Sequence, residues 1–62
     1  LKSNCMAKIL IIEDTIQLRE SIADVLEQEG FEVLLADDGD GGIKLALEHS
    51  PDLILCDMSC RE

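Results

Sequence analysis

Apolar residues in this chain fall into three short runs, and two amphipathic segments separate them. The first run, residues 7–12, is rich in β-branched residues and shows almost no alternation with polar positions. Such a run indicates a strand buried on both faces, as in a parallel sheet. Residues 31–36 and 52–56 form similar runs. We therefore predict three β-strands at these positions.

The segment after the first run has the spacing of an amphipathic helix. Its apolar residues follow the pattern i, i+4, i+7, i+8 and form one stripe: Leu18, Ile22, Val25 and Leu26. Asp14 or Thr15 can cap the start of this helix, and Gly30 suits the position just past its end. We expect the stripe to face the sheet.

A second and shorter helix is predicted over residues 40–48. We expect Ile43 and Leu47 to lie on its buried face. Gly41 and Gly42 each weaken its first turn by up to ~1 kcal/mol relative to alanine.

The element order is therefore β-α-β-α-β. Strands separated by single helices pair in parallel through right-handed crossovers. If the chain reverses its winding after the second strand, the strand order is 2-1-3 and one helix covers each face of the sheet. Ligands of such α/β sheets bind at the carboxyl ends of the strands, where the winding reverses. That point lies between the first and third strands.

Charge and cysteine content narrow the possible partners. The chain has 14 acidic and 5 basic residues, a formal net charge of -9. This charge repels nucleic acid and anionic membranes, and it favours a cation, a basic partner surface or simple solubility. The apolar runs are shorter than a membrane span. Three cysteines fit no disulfide framework, so we expect a reducing, cytoplasmic location.

Acidic residues end the two strands that flank the switch point. Glu13 and Asp14 follow the first strand, and Asp57 follows the third. Neighbouring strands lie ~4.8 Å apart, so the three carboxylates can converge. A divalent cation would relieve their repulsion, and magnesium suits an all-oxygen ligand set. The alternative for Glu13 and Asp14 is a helix cap, favourable at the amino terminus of a helix.

Three segments in this order resemble the signatures of two-component response-regulator receiver domains: residues 8–14 (KILIIED), 36–39 (ADDG) and 51–58 (PDLILCDM). The resemblance implies a flavodoxin-like fold and a phosphorelay signalling role in the cytoplasm. It implies that Asp57 accepts a phosphoryl group from a sensor histidine kinase or phosphotransfer protein. It also implies that Asp14 binds Mg²⁺ directly, that Glu13 binds it through water, and that the backbone carbonyl of Met58 completes the protein ligands.

The chain also departs from the family pattern. Receiver domains are roughly twice as long, and the strands that carry their switch Ser or Thr and their paired Lys have no counterpart here. Lys8 and Lys44 lie elsewhere in the pattern and do not replace that Lys. We expect an upstream extension at residues 1–6, a truncated, partial receiver domain at 7–58, and a divergent tail at 59–62.

Two functions follow from these residues. The first is a phosphoacceptor module that binds Mg²⁺ and is switch-defective because it is truncated. The alternative is a non-catalytic assembly remnant that folds by oligomerising through its exposed third strand, since an uncovered apolar edge pairs readily with another chain. An enzyme with its own substrate is not expected, because the sequence has no nucleophile–base pair and no glycine-rich phosphate loop.

Overall fold

A computed structural model describes residues 6–56 of the chain, in which five elements follow one another in the predicted β-α-β-α-β order. Their bounds are β1 Lys8–Ile12, α1 Ile16–Gln28, β2 Glu32–Ala36, α2 Gly39–His49 and β3 Leu53–Cys56. Each predicted element is present, and the predicted ends of the strands and of α2 coincide with the observed ends or differ by one residue. The two helices of the described region, with 13 and 11 residues, are too short to span a bilayer.

The three strands form a parallel sheet in the order β2-β1-β3, as predicted. Ile11 of β1 lies opposite Leu35 of β2 and Leu55 of β3. Because β1 is central, its side chains are enclosed on both faces, and Leu10 and Ile11 are fully buried. The continuous apolar run at the start of the sequence is therefore explained by the central position of β1. The α/β class and the flavodoxin-like order are confirmed.

Helix α1 covers one face of the sheet. Ala23 of α1 packs with Ile9 and Ile11 of β1, and half-buried side chains surround this cluster: Ile22, Leu26, Phe31, Val33 and Leu55. The predicted apolar stripe is only partly buried, because Leu18 and Val25 are exposed. Helix α1 lies over β1 and β2, with Ala23 nearest the sheet, so one edge of the stripe extends past the strands it covers.

Helix α2 covers the opposite face, where Leu10, Ile12 and Ala36 form a second buried cluster. The prediction that Ile43 and Leu47 face the sheet is wrong, since these side chains are 61% and 79% exposed. The residues of α2 that face the sheet are instead Gly42, Leu45 and Ala46.

The physical reason for this rotation is the close approach of α2 at Gly42. A Cβ atom on Gly42 would lie 2.7 Å from Cγ1 of Ile12, inside van der Waals contact. Successive helix residues are about 100° apart, so a helix with Gly42 against the strand turns Ile43 away from it. Hydrophobicity alone therefore gave the wrong face, because the buried position belongs to the smallest residue.

Strand β3 forms one edge of the described sheet and is covered by neither helix. No Cα atom of α1 or α2 lies within 8 Å of a β3 Cα atom. Leu53 and Ile54, which point to opposite faces of the sheet, are both exposed. The predicted exposed apolar edge is present in the described part of the chain.

Candidate functional site

The carboxyl ends of β1 and β3 leave the sheet at the same edge. Ile12 and Cys56 are paired in the register of these two parallel strands. Glu13 and Asp14 directly follow Ile12, and position 57 directly follows Cys56. Asp57 and Met58 lie outside the described residues, so their convergence with Glu13 and Asp14 stays a prediction.

Glu13 is the one charged residue within residues 6–56 that is fully buried, with 2% of its surface exposed. Its backbone N–H donates to the carbonyl of Ala36 on β2, at 3.1 Å. Its carboxylate Oε2 accepts the backbone N–H of Thr15, at 2.9 Å. The remaining oxygen, Oε1, is buried and has no hydrogen-bond partner among residues 6–56. A buried carboxylate oxygen without a partner is costly, so this atom is suited to a further ligand.

Arg19 of α1 holds the backbone of the same residue. Its Nη1 atom donates to the carbonyl oxygen of Glu13, at 2.7 Å. Hydrogen bonds from a charged donor are about twice as strong as neutral ones, and Arg19 is half-buried, which limits competition from water. Sequence reasoning did not identify Arg19. An arginine in the first turns of an amphipathic helix carries no signal that it will bind a carbonyl six residues upstream.

Asp14 is exposed and follows Glu13 in a bend before α1. The helix-cap interpretation of the acidic pair is not what the structure shows for Asp14, because the N-cap residue of α1 is Thr15 and no side chain caps this end. The Glu13 carboxylate instead accepts the N–H of Thr15. Its negative charge therefore lies beside the positive end of the α1 dipole, where it is favoured.

The residues present are consistent with a hard divalent cation. Glu13 offers a buried oxygen without a partner, and the neighbouring Asp14 is a solvent-facing carboxylate. Oxygen donors of this kind are the ligands that Mg²⁺ prefers. Within residues 6–56 no three His, Cys, Asp or Glu side chains are grouped as a complete metal site. Two of the four predicted ligands, Asp57 and Met58, lie outside that range.

A groove of about 520 Å³ lies elsewhere, along the outer edge of β2 between the two helices. Its lining includes Arg19 and Lys44 as well as the apolar Leu35 and Ala36. Neither Glu13 nor Asp14 lines it, so the groove is separate from the acidic pair.

Comparisons with known proteins converge on one family. A family model described as the response regulator receiver domain matches residues 9–61. The phosphate regulon transcriptional regulatory protein PhoB of Escherichia coli K12 is 44% identical over 50 residues, which cover 81% of this chain and 22% of PhoB. The chemotaxis protein CheY of Bacillus subtilis is 39% identical over 56 residues, which cover 89% of this chain and 47% of CheY.

Protein PilH of Pseudomonas aeruginosa is 38% identical over 53 residues, which cover 86% of this chain and 44% of PilH. The chain thus spans less than half the length of each of these relatives. No solved structure gives a significant match.

Proposed function

The chain belongs to the response regulator receiver domain family, and we propose that it is a phosphoacceptor of a two-component phosphorelay. Asp57 accepts the phosphoryl group from a phosphohistidine on a sensor histidine kinase or phosphotransfer protein. Glu13, Asp14, Asp57 and the backbone carbonyl of Met58 hold Mg²⁺. The observation that carries this proposal is the buried, unpartnered Oε1 of Glu13 at the sheet edge from which β3 leads directly to Asp57.

The proposed chemistry is an in-line phosphoryl transfer. A carboxylate oxygen of Asp57 forms a bond to phosphorus as the phosphorus–nitrogen bond of the donor breaks, and the leaving imidazole nitrogen takes up a proton. Bound Mg²⁺ would offset the repulsion between the carboxylate and the phosphoryl oxygens. Glu13 contributes a fixed and buried negative charge, because three of its polar groups are held by hydrogen bonds from or to other residues.

The remaining features of the proposal concern partners and location. The net charge of -9 favours a basic partner surface and disfavours nucleic acid or an anionic membrane. We propose a cytoplasmic protein that is not an enzyme with a substrate of its own. The Ser or Thr and the Lys with which the family reads phosphorylation are not among these residues, so the proposal covers the acceptor and not the switch.

Intact-mass spectrometry with acetyl phosphate as the donor tests this function. In the presence of Mg²⁺ we expect a mass gain of one phosphoryl group, which disappears when the metal is chelated and in Asp57→Asn. The matched control is Asp24→Asn, which removes the same charge from the exposed surface of α1 and should leave the gain intact. A gain that persists in Asp57→Asn, or no gain in the unaltered chain, contradicts the proposal.

The uncovered strand β3 favours a second candidate function, assembly through the sheet edge. Leu53 and Ile54 are exposed on opposite faces of this strand, and the described residues supply no neighbour for its outer edge. An oligomer formed this way should be unchanged by Asp57→Asn and by chelation, whereas the phosphoacceptor activity is lost under both conditions. The two functions are therefore separable by experiment.

A further inference from the structure

The hydrogen bond from Arg19 to the carbonyl of Glu13 closes the connection between β1 and α1. The same residue also donates its backbone N–H to the carbonyl of Thr15, at 2.9 Å. Arg19 therefore holds the loop at two points, one at its first residue and one at its last. The acidic pair Glu13 and Asp14 lies within the loop segment that these two contacts hold.

The guanidinium binds the backbone and leaves the carboxylates free. Within residues 6–56 no Lys or Arg nitrogen lies within 4.0 Å of a Glu13 or Asp14 carboxylate oxygen. A salt bridge from Arg19 to Glu13 would occupy the oxygen that is now without a partner. Arg19 instead donates to the backbone carbonyl of Glu13, which leaves Oε1 of the side chain available to a ligand.

Fixing this carbonyl also orients the residue that follows. The peptide unit from Glu13 to Asp14 is planar, so the carbonyl of Glu13 and the N–H of Asp14 turn together. The N–H of Glu13 is bonded to Ala36, and its Oε2 is bonded to the N–H of Thr15. With the carbonyl also held, rotation of the peptide plane is restrained. The backbone of Asp14, from which its side chain extends, therefore has a defined orientation.

We propose that Arg19 is a positioning residue for the divalent cation. It acts through the backbone carbonyl of Glu13, and it orients the Glu13 and Asp14 carboxylates without competing for them. This inference rests on the proposed function, because it requires that the acidic pair binds a cation.

Two physical effects of Arg19 oppose each other, so a single substitution distinguishes them. A positive guanidinium near a divalent cation repels it, so removing the charge should tighten binding if Arg19 acts only through its field. Loss of a positioning contact beyond the metal ligands weakens metal affinity by roughly 10–100-fold. The sign of the change in Mg²⁺ affinity therefore decides between positioning and simple repulsion.

Isothermal titration calorimetry with Mg²⁺ on the full chain makes this test. Arg19→Met keeps the apolar stem and removes the donor and the charge; we expect roughly 10-fold or greater weakening of Mg²⁺ binding. Arg19→Lys keeps one charged donor and should recover part of the loss. Lys44→Met, which removes an equal charge from an exposed position on α2, should bind Mg²⁺ as the unaltered chain does.

A second readout separates positioning from stability. Thermal unfolding without Mg²⁺ reports any purely structural cost, and the Asp14 amide resonance in a ¹⁵N–¹H correlation spectrum reports the peptide orientation. We expect that resonance to shift in Arg19→Met and to return towards its original position in Arg19→Lys. Lower stability with unchanged Mg²⁺ affinity and an unchanged Asp14 resonance overturns the inference.

The failure of this inference is distinguishable from that of the proposed function. If the unaltered chain does not bind Mg²⁺, both are overturned. If it binds Mg²⁺ and Arg19→Met binds as tightly or more tightly, only the role of Arg19 is overturned. If Arg19→Met does not fold, the comparison of Arg19→Lys with the unaltered chain decides, and equal Mg²⁺ affinity of these two contradicts the inference.

Discussion

Gly42 and Glu13 are residues whose types are unusual for the positions they occupy. Glu13 is an acid in a buried layer, and three of its polar groups have partners while Oε1 has none in the described part of the chain. Gly42 is a glycine inside a helix, where it costs roughly 1 kcal/mol relative to alanine. The close contact between α2 and β1 explains the glycine, and the proposed cation site at the end of β1 would explain the buried acid.

Gly42→Ala should destabilise the protein even though alanine is the better helix former. The new methyl group meets Ile12, whose side chain is itself buried, and overpacking of this kind costs about 1–3 kcal/mol. We expect a net decrease in the free energy of unfolding, measured by urea denaturation followed by circular dichroism.

Gly39→Ala is the matched control, because a Cβ atom at Gly39 meets nothing within 4 Å. This change should be neutral or stabilise the protein by up to ~1 kcal/mol. A Gly42→Ala protein as stable as Gly39→Ala would show that α2 can withdraw from the sheet at no cost.

At the scale of the elements, the two helices end in different ways. Helix α2 has a side-chain N-cap, since Oδ1 of Asp38 accepts the N–H of Gly41 at 2.8 Å, while Thr15, the N-cap residue of α1, makes no such bond. At their carboxyl ends, Gly30 after α1 and Ser50 at the end of α2 both adopt positive φ angles. The predicted role of Gly30 just past α1 is thereby confirmed.

The cap of α2 can be tested by Asp38→Ala. Loss of an N-cap side chain costs about 0.5–2 kcal/mol, and here the first turn also contains three glycines that give it little intrinsic stability. We expect a lower midpoint of thermal unfolding. Asp37→Ala removes the same charge from an exposed residue outside the helix and should change the midpoint much less. Equal effects would mean that charge, and not capping, is responsible.

At the scale of the whole molecule, the uncovered β3 edge and the net charge act against each other. Exposed apolar side chains on β3 favour association, and the formal charge of -9 on each chain opposes it. Exposed apolar side chains on the two helices add to the surface available for contact: Leu18 and Val25 on α1, and Ile43 and Leu47 on α2. Salt screens the repulsion and leaves the apolar contact intact, so association should increase with ionic strength.

Light scattering over a concentration series should therefore show oligomers of the 62-residue chain, increasing with salt. Leu53→Lys places a charge on the exposed strand and should shift the population towards monomer. Ser21→Lys changes the net charge by the same amount on the outer surface of α1 and should not. A strictly monomeric, folded species at all concentrations contradicts assembly through β3.

The element order, the parallel sheet and the 2-1-3 arrangement were predictable from the pattern of residues alone. Strand and helix periodicity are local properties, and the connection between parallel strands allows few topologies. The sequence also places acidic residues directly after β1 and β3, the two strands that flank the switch point. The assignment of Glu13 to a candidate cation site came from this reasoning and from the family resemblance.

Which residues of each amphipathic helix contact the sheet depends on packing in three dimensions and could not be predicted from the pattern. Amphipathicity specifies a helix face to within a broad arc, and the distance between backbones then selects the small residues Ala23 and Gly42 for the closest contacts. For the same reason Ile43 and Leu47 were assigned to the wrong face. The bond from Arg19 to the Glu13 carbonyl was also decided at this level, because it depends on the three-dimensional path between a strand end and a helix.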